Sequence, residues 1–222
     1  GGEAGATGGG GLDALKGFDA NLDLRIGSLT YQETQIADIR LEGTLANGVM
    51  TFKQARLGQV AGGSLSYVGK GALDGPTLDG TLEVSASDPA KLARLAGLDP
   101  ATLAPLGPFG LSANLKGTPA KLGFNARLDA LGGDFGAAGT VETASDGPIQ
   151  LAVTAKHPDL AALAAAFGQG GALPAGFGGI DAEARVTLTG ADISVTELKG
   201  QLGPLAIQQA TLAYAGGGER PA

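Results

Sequence analysis

The feature that most restricts this chain is strict two-residue alternation, met in segment after segment. In "FDANLDLRI", Phe18, Ala20, Leu22, Leu24 and Ile26 share one side of an extended strand, and Asp19, Asn21, Asp23 and Arg25 share the other. "DIRLEGTL" does the same with Ile39, Leu41 and Leu45 against Arg40, Glu42 and Thr44. Asn47-Gly48 supplies the pair that a tight hairpin favours, and "VMTFK" follows it. "LSYVGKGAL", "TLDGTLEVSA", "FGLSANLKG", "LGFNARLDA", "FGAAGTVET", "IQLAVTA", "IDAEARVTLTG", "DISVTELKG" and "LAIQQATLAY" continue the series. A period of two gives each strand one apolar and one wet face, which is the antiparallel pattern, and Gly, Asp-Gly and Gly-Pro mark the turns. The fold class is therefore mainly β, with a long antiparallel sheet.

Two stretches break the alternation. In "SDPAKLARLAGL", Asp88 can cap a helix with Pro89 at its first position, and Leu92, Leu95 and Ala96 share a face away from Lys91 and Arg94. In "KHPDLAALAAAFG", Pro158 opens a second helix, whose face is Leu160, Leu163, Ala164 and Phe167. Neither is long enough to stand alone, so each is expected to pack on the sheet. The leucines match at a spacing of 68 residues (Leu92 with Leu160, Leu95 with Leu163), as do Phe109 and Phe177. This predicts a tandem array with a period near 70. Its expected parts are a Gly-rich linker at 1–11, β units at 12–87, 88–155 and 156–215, and a flexible tail at 216–222.

The formal charge of −7 and the pI near 4.6 argue against nucleic acid, whose binding needs Lys and Arg against phosphates. With no cysteine there is no disulfide and no thiolate chemistry. No signal peptide or membrane-spanning run is visible, so the chain reads as a segment whose targeting elements lie elsewhere.

Catalytic constellations are missing. His157, the single histidine, reads as a capping or surface residue beside Pro158. There is no Gly-x-Ser-x-Gly elbow to present a nucleophile, and "GKG" at Gly69–Gly71 lacks the Ser or Thr of a phosphate loop. Asp74, Asp79, Asp129 and Asp134 show no calcium-loop spacing and read as turn residues. No enzyme activity, catalytic residue, metal or cofactor is expected.

What remains distinctive is a long aliphatic face, which reads either as the core of an ordinary β-sandwich or as the lining of an open groove for an apolar ligand. A sixteen-carbon acyl chain left in water costs about 12 kcal/mol at ~0.8 kcal/mol per CH₂, so carrying lipid through water demands continuous shielding. The residues expected to line such a groove are Phe18, Leu22, Leu24, Leu41, Leu65, Leu82, Leu111, Phe124, Val141, Leu151, Val186 and Val195.

The cadence of Phe18–Leu24, Ile36–Leu41, Asn47–Gly48 and Gly62–Gly71 resembles the C-terminal region of AsmA-family proteins, relatives of TamB, over Leu12–Leu98. The resemblance extends into "GPFGLSANLKGTPAKLGFNARLDALGG" and weakens after Gly168. It implies a curved, U-shaped sheet built from tandem repeats, like that of bridge-like lipid-transfer proteins. It also implies a periplasmic protein of a Gram-negative envelope, anchored in the inner membrane by an N-terminal helix absent here. The implied partners are phospholipid or another acyl-chain lipid, the rest of the parent protein and envelope proteins, in outer-membrane homeostasis. The isolated segment is expected to self-associate through its edge strands. The alternative from the residues alone is a structural β-repeat domain, sandwich or solenoid, with a closed core and no ligand.

Overall fold

The structure, a computed structural model, describes residues 19–31, 34–72, 77–95, 97–142, 147–171, 173–174 and 176–214. Twelve strands follow one another: β1 Ala20–Tyr31, β2 Thr34–Ala46, β3 Val49–Val60, β4 Gly63–Ala72, β5 Thr77–Ala86 and β6 Phe109–Thr118. They continue as β7 Lys121–Ala130, β8 Gly133–Glu142, β9 Ile149–His157, β10 Ile180–Thr189, β11 Asp192–Leu202 and β12 Leu205–Tyr214. Each pairs antiparallel with its sequence neighbours, so the order in the sheet is the order in the chain. The sheet is curved and does not close.

Two-residue turns at positive φ join several strands. Asn47-Gly48, Ala61-Gly62 and Leu131-Gly132 all have both central residues in the left-handed region, which suits the right-handed twist of the flanking strands. Only the first of these is legible from residue type. Ala61 and Leu131 take a conformation that Cβ disfavours.

Bulges gather at the two flanks. Register shifts occur in the β2/β3 and β3/β4 ladders and again in β10/β11 and β11/β12. The ladders from β4 to β8 and from β9 to β10 run without one. In β3 the bulge does visible work on the sequence pattern. Met50 and Phe52 are out of phase with Ala55 and Leu57, and the shift between Phe52 and Ala55 returns all four to one face.

Among the described residues there are three short α-helices, not two: α1 Pro89–Leu95, α2 Pro100–Leu103 and α3 Leu160–Ala166, with a 3-10 turn at Ala104–Leu106. Both helical connections leave from the same end of the sheet. Asp88 caps α1 through the Lys91 amide, as expected. The sequence reading missed α2, capped by Asp99 through the Ala101 amide.

Three other expectations are corrected. Helix α3 begins at Leu160 with Asp159 as its cap, so Pro158 precedes the helix instead of opening it. Phe167 lies past its last turn and is 54% exposed, outside any packed stripe. And α1 packs chiefly on α2 and the 3-10 turn, while the Leu160 amide at the start of α3 is held by the Gly178 carbonyl. Counted by cap, helix and following strand, the offset between the two connections is 71 residues (Asp88 to Asp159, Pro89 to Leu160, Phe109 to Ile180), three more than the leucine spacing.

The largest buried apolar side chains are Leu45 and Val60, and the others are Ala86, Ala93, Ala113, Ala130 and Pro89. No second sheet packs on the first among the described residues. The apolar side chains of the strands are therefore half-buried beside one another instead of sealed between layers.

Candidate functional site: one apolar face across twelve strands

Residues directly opposed in an antiparallel ladder project to the same face, so the register traces each face across the sheet. One row starts at Ile26 and passes through Ile39, Leu57, Leu65, Val84 and Leu111. It continues through Leu128, Phe135, Ala155, Ala182, Gly200 and Ile207. That row crosses all twelve strands without one polar side chain. A second row begins Leu22, Gly43, Phe52, Gly69, Gly80 and Leu115. It ends Phe124, Gly139, Leu151, Val186, Val195 and Leu212.

The groove residues predicted from sequence fall on this face. Leu22, Phe124, Leu151, Val186 and Val195 lie in the second row, and Leu65 and Leu111 in the first. Leu24, Leu41 and Leu82 lie in the row between, with Tyr67. Val141 pairs with Leu122 one row further out. Phe18 lies outside the described residues. Leu24, on edge strand β1, is 42% exposed, whereas the others are half-buried.

Of the aromatic residues that shape this face, sequence reasoning found Phe124 and missed Phe52, Tyr67 and Phe135. Phe52 meets Tyr67 edge-on, with ring centroids 5.8 Å apart at 70°. The Tyr67 hydroxyl donates to the Lys70 carbonyl at 3.2 Å, which lays the ring along its own strand. There it covers the opposed pair Gly69 and Gly80, since a Cβ on either would stand 2.6 or 2.7 Å from the Tyr67 hydroxyl. Partial burial raises the Tyr67 phenol above its usual range. Leu151 closes over Gly139, and Phe135 with His157 over Gly133, in the same way. A signal was present in the sequence as glycines at apolar-phase positions beside large side chains.

The opposite face is wet and laced with ion pairs. Lys121 meets Glu142, Arg127 meets Asp134, Lys156 meets Asp181, and Lys199 meets Glu183, each across neighbouring strands. Arg25, Arg40 and Arg56 are directly opposed in one row, and the first two are neutralised by Asp23 and Asp38. Asp79, Asp129 and Asp134, expected in turns, are strand residues here, and Asp74 lies outside the described residues. The Arg127 guanidinium holds the Asp134 carboxyl below the usual range, and the Lys91 ammonium does the same for Asp88.

His157 is buried, not a surface residue. Its Nδ1 accepts the Asp159 amide at 3.0 Å, which leaves the proton on Nε2 to be donated to the Leu131 carbonyl at 2.8 Å. Both ring nitrogens are thus engaged with backbone. At the helix-bearing end a cleft of about 790 Å³ opens among Gln35, Arg56, Ser85, Phe109 and Asp129, mixed in polarity. Among the described residues no cluster of acidic residues or histidine is arranged to hold a metal ion, and no helix is long and apolar enough to cross a membrane.

Comparison of the chain with protein-family models, curated proteins and solved structures finds no match.

Proposed function

We propose that this chain is a periplasmic segment of an AsmA-like envelope protein, and that its apolar face forms part of a hydrophobic groove carrying phospholipid between the inner and outer membranes. The observation that carries this reading is the row from Ile26 to Ile207, apolar on every strand and covered by no second layer among the described residues. A face of that kind in water is costly at roughly 25 cal/mol per Å² unless something covers it. Acyl chains fit its chemistry, because the rows offer aliphatic and aromatic surface with no hydrogen-bonding group to satisfy.

The strands are long enough to cover an acyl chain. A ten-residue strand such as β6 is about 33 Å long, against roughly 15 Å for the hydrocarbon of one bilayer leaflet. The reading assigns no catalytic step, since transfer along a continuous groove needs shielding, not bond-making. The ion-paired face would stay in water, and the helical connections would flank one end of the groove.

The deciding experiment is mass spectrometry of organic extracts from the purified chain, paired with native mass spectrometry of the intact protein. Stoichiometric phospholipid retained through purification is the expected result. A lipid-free chain that unfolds cooperatively, and takes up no lipid from phospholipid vesicles, would overturn the reading in favour of a purely structural β domain.

A further inference from the structure

Ion pairs occupy most of the lysines and arginines among the described residues, and Arg56, Lys70, Arg94 and Lys116 are in none. Lys70 and Lys116 each stand directly opposite Asp79. Arg56 instead stands opposite Arg40 on one side and Ser66 on the other, and like charges opposed across a ladder are destabilising. Arg94, on α1, acts on Asp88, but Lys91 already holds that carboxylate at 3.1 Å. A chain with a formal charge of −7 thus keeps two arginines without a carboxylate of their own. Both come to one corner at the helix-bearing end. Arg56 lines the cleft of about 790 Å³, Arg94 lines a second of about 520 Å³, and the two clefts share Gln35, Ala61 and Gly62. Asp129, the one carboxylate lining either cleft, stands on β7, at the far side from β3.

We propose that this corner is an anion site for a phosphate group, held by Arg56 and Arg94 with Gln35, which is common to both clefts. The planar guanidinium fork takes two phosphate oxygens at once, which a lysine ammonium does not. The Gln35 amide adds a neutral donor, as do the hydroxyls of Thr34 and Ser64 that line the same clefts. A bound phosphate offsets the opposition of Arg56 to Arg40, which the fold leaves uncompensated. Asp23 and Asp38 do this for the other two arginines of the row. The site sits beside the Ala61-Gly62 turn and uses none of the apolar rows, so it goes beyond the groove reading and does not rest on it. A phospholipid headgroup and a soluble phosphate compound carry the same group, and the site recognises that group in either.

Titration of inorganic phosphate into the whole chain, followed by amide and arginine side-chain NMR at constant ionic strength, tests this. Saturable shifts are expected at Gln35, Arg56, Gly62 and Arg94, and none with sodium chloride in its place. Arg56→Gln and Arg94→Gln should each weaken binding about tenfold, the loss of one charge-assisted contact, with an unchanged circular dichroism spectrum. Arg25→Gln, in the same row but paired with Asp23, should leave it as it was. Arg56→Gln should not lower the urea unfolding midpoint, because it also removes the opposition to Arg40. Flotation with phosphatidylglycerol vesicles separates the two sources. Capture that free phosphate displaces, and that both arginine variants lose, assigns the site to lipid headgroups; phosphate shifts without capture assign it to soluble phosphate. The absence of a saturable phosphate shift, equal shifts with chloride, or phosphate binding unchanged in both variants would overturn the proposal. A chain that purifies without lipid would leave the site standing, since phosphate binding needs no acyl chain, and a failed phosphate titration would leave the groove reading standing.

Discussion

The Nε2 of His157 lies 2.8 Å from the carbonyl oxygen of Leu131 and ties the last residue of β9 to the turn between β7 and β8. Ser87 makes the corresponding tie at the other helical connection, where its amide and hydroxyl both donate to the Gly62 carbonyl. Each connection is therefore fastened to the nearest preceding hairpin before its helix begins. The lone histidine of the chain is a structural clasp.

Removing that clasp should be felt in stability. His157→Ala removes a buried side chain and leaves the Asp159 amide and the Leu131 carbonyl without the partner it gave them, and a loss of about 1–3 kcal/mol is expected. In a protein of this size that lowers Tm by roughly 2–4 °C per kcal/mol. His157→Asn, which can still accept the Asp159 amide, should recover part of the loss. A variant as stable as wild type in urea unfolding would refute the clasp.

Hairpin chemistry gives a prediction of opposite sign. Ala61 holds φ at 49° in a turn whose counterpart, Asn47-Gly48, uses a residue suited to that region. Ala61→Asn should stabilise the protein by about 1 kcal/mol, because the short polar side chain of Asn hydrogen-bonds locally and offsets the cost of a Cβ in the left-handed region. Asn47→Ala should lose a similar amount. Equal midpoints in chemical denaturation for wild type and Ala61→Asn would count against it.

Gly80 tests how closely β4 and β5 approach beneath the Tyr67 ring. A Cβ there would stand 2.4 Å from the Val68 carbonyl oxygen and 2.7 Å from the Gly69 Cα, neither of which can swing aside. Gly80→Ala is expected to cost about 1–3 kcal/mol. Gly110→Ala, where a Cβ meets nothing within 4 Å, is the control and should stay within about 0.5 kcal/mol.

The ion-paired face predicts how stability follows pH. Asp134 and Asp88 are held below their ordinary range by Arg127 and Lys91. Their contribution is present above the unfolded carboxylate value and is lost as pH falls through the lower folded one. Tyr67 works in reverse, because its raised phenol contributes below the unfolded value of 10.0 and loses that contribution as pH rises. Thermal melts from pH 2 to 7 should show a shallower acid limb for Asp134→Asn, and an identical limb would contradict the assignment.

Leu82 separates groove from core. It sits between Tyr67 and Ala113 in the middle row of the apolar face. Under the proposed function, Leu82→Asp should reduce co-purifying phospholipid about tenfold while costing only about 1–2 kcal/mol of stability, since the site is half-open. Full lipid retention by a folded Leu82→Asp protein would exclude this face as the lipid surface.

Much of the fold was legible because alternation is a local property. The twelve strands, the Asn47-Gly48 turn and the Asp88 cap all follow from neighbouring residue types. What escaped has a physical reason in each case. The leucine spacing of 68 misplaced the second connection by three residues because an amphipathic helix nearly repeats itself when slid by one turn of 3.6. The aspartate caps, which fix the start and not merely the face, give the correct 71. Phe177 accordingly lies ahead of β10, where its ring and carbonyl crowd Gly203. The bulges of β3 and β11 were invisible because they depend on partner strands, although the broken phase between Phe52 and Ala55 was their trace. For the site, the face was readable, whereas the aromatic cover over glycine depends on which residues stand opposite across a ladder.

Because order in the sheet is order in the chain, each strand owes its place only to the strands just before and after it. Such a molecule can change size by whole hairpins. Removing two consecutive strands would draw the flanking pair together, keep every remaining side chain on its face, and narrow the sheet by about 9.6 Å at ~4.8 Å per strand. Its width is thus counted in the sequence by the number of alternating segments, and evolution or design can set that number without redrawing any core.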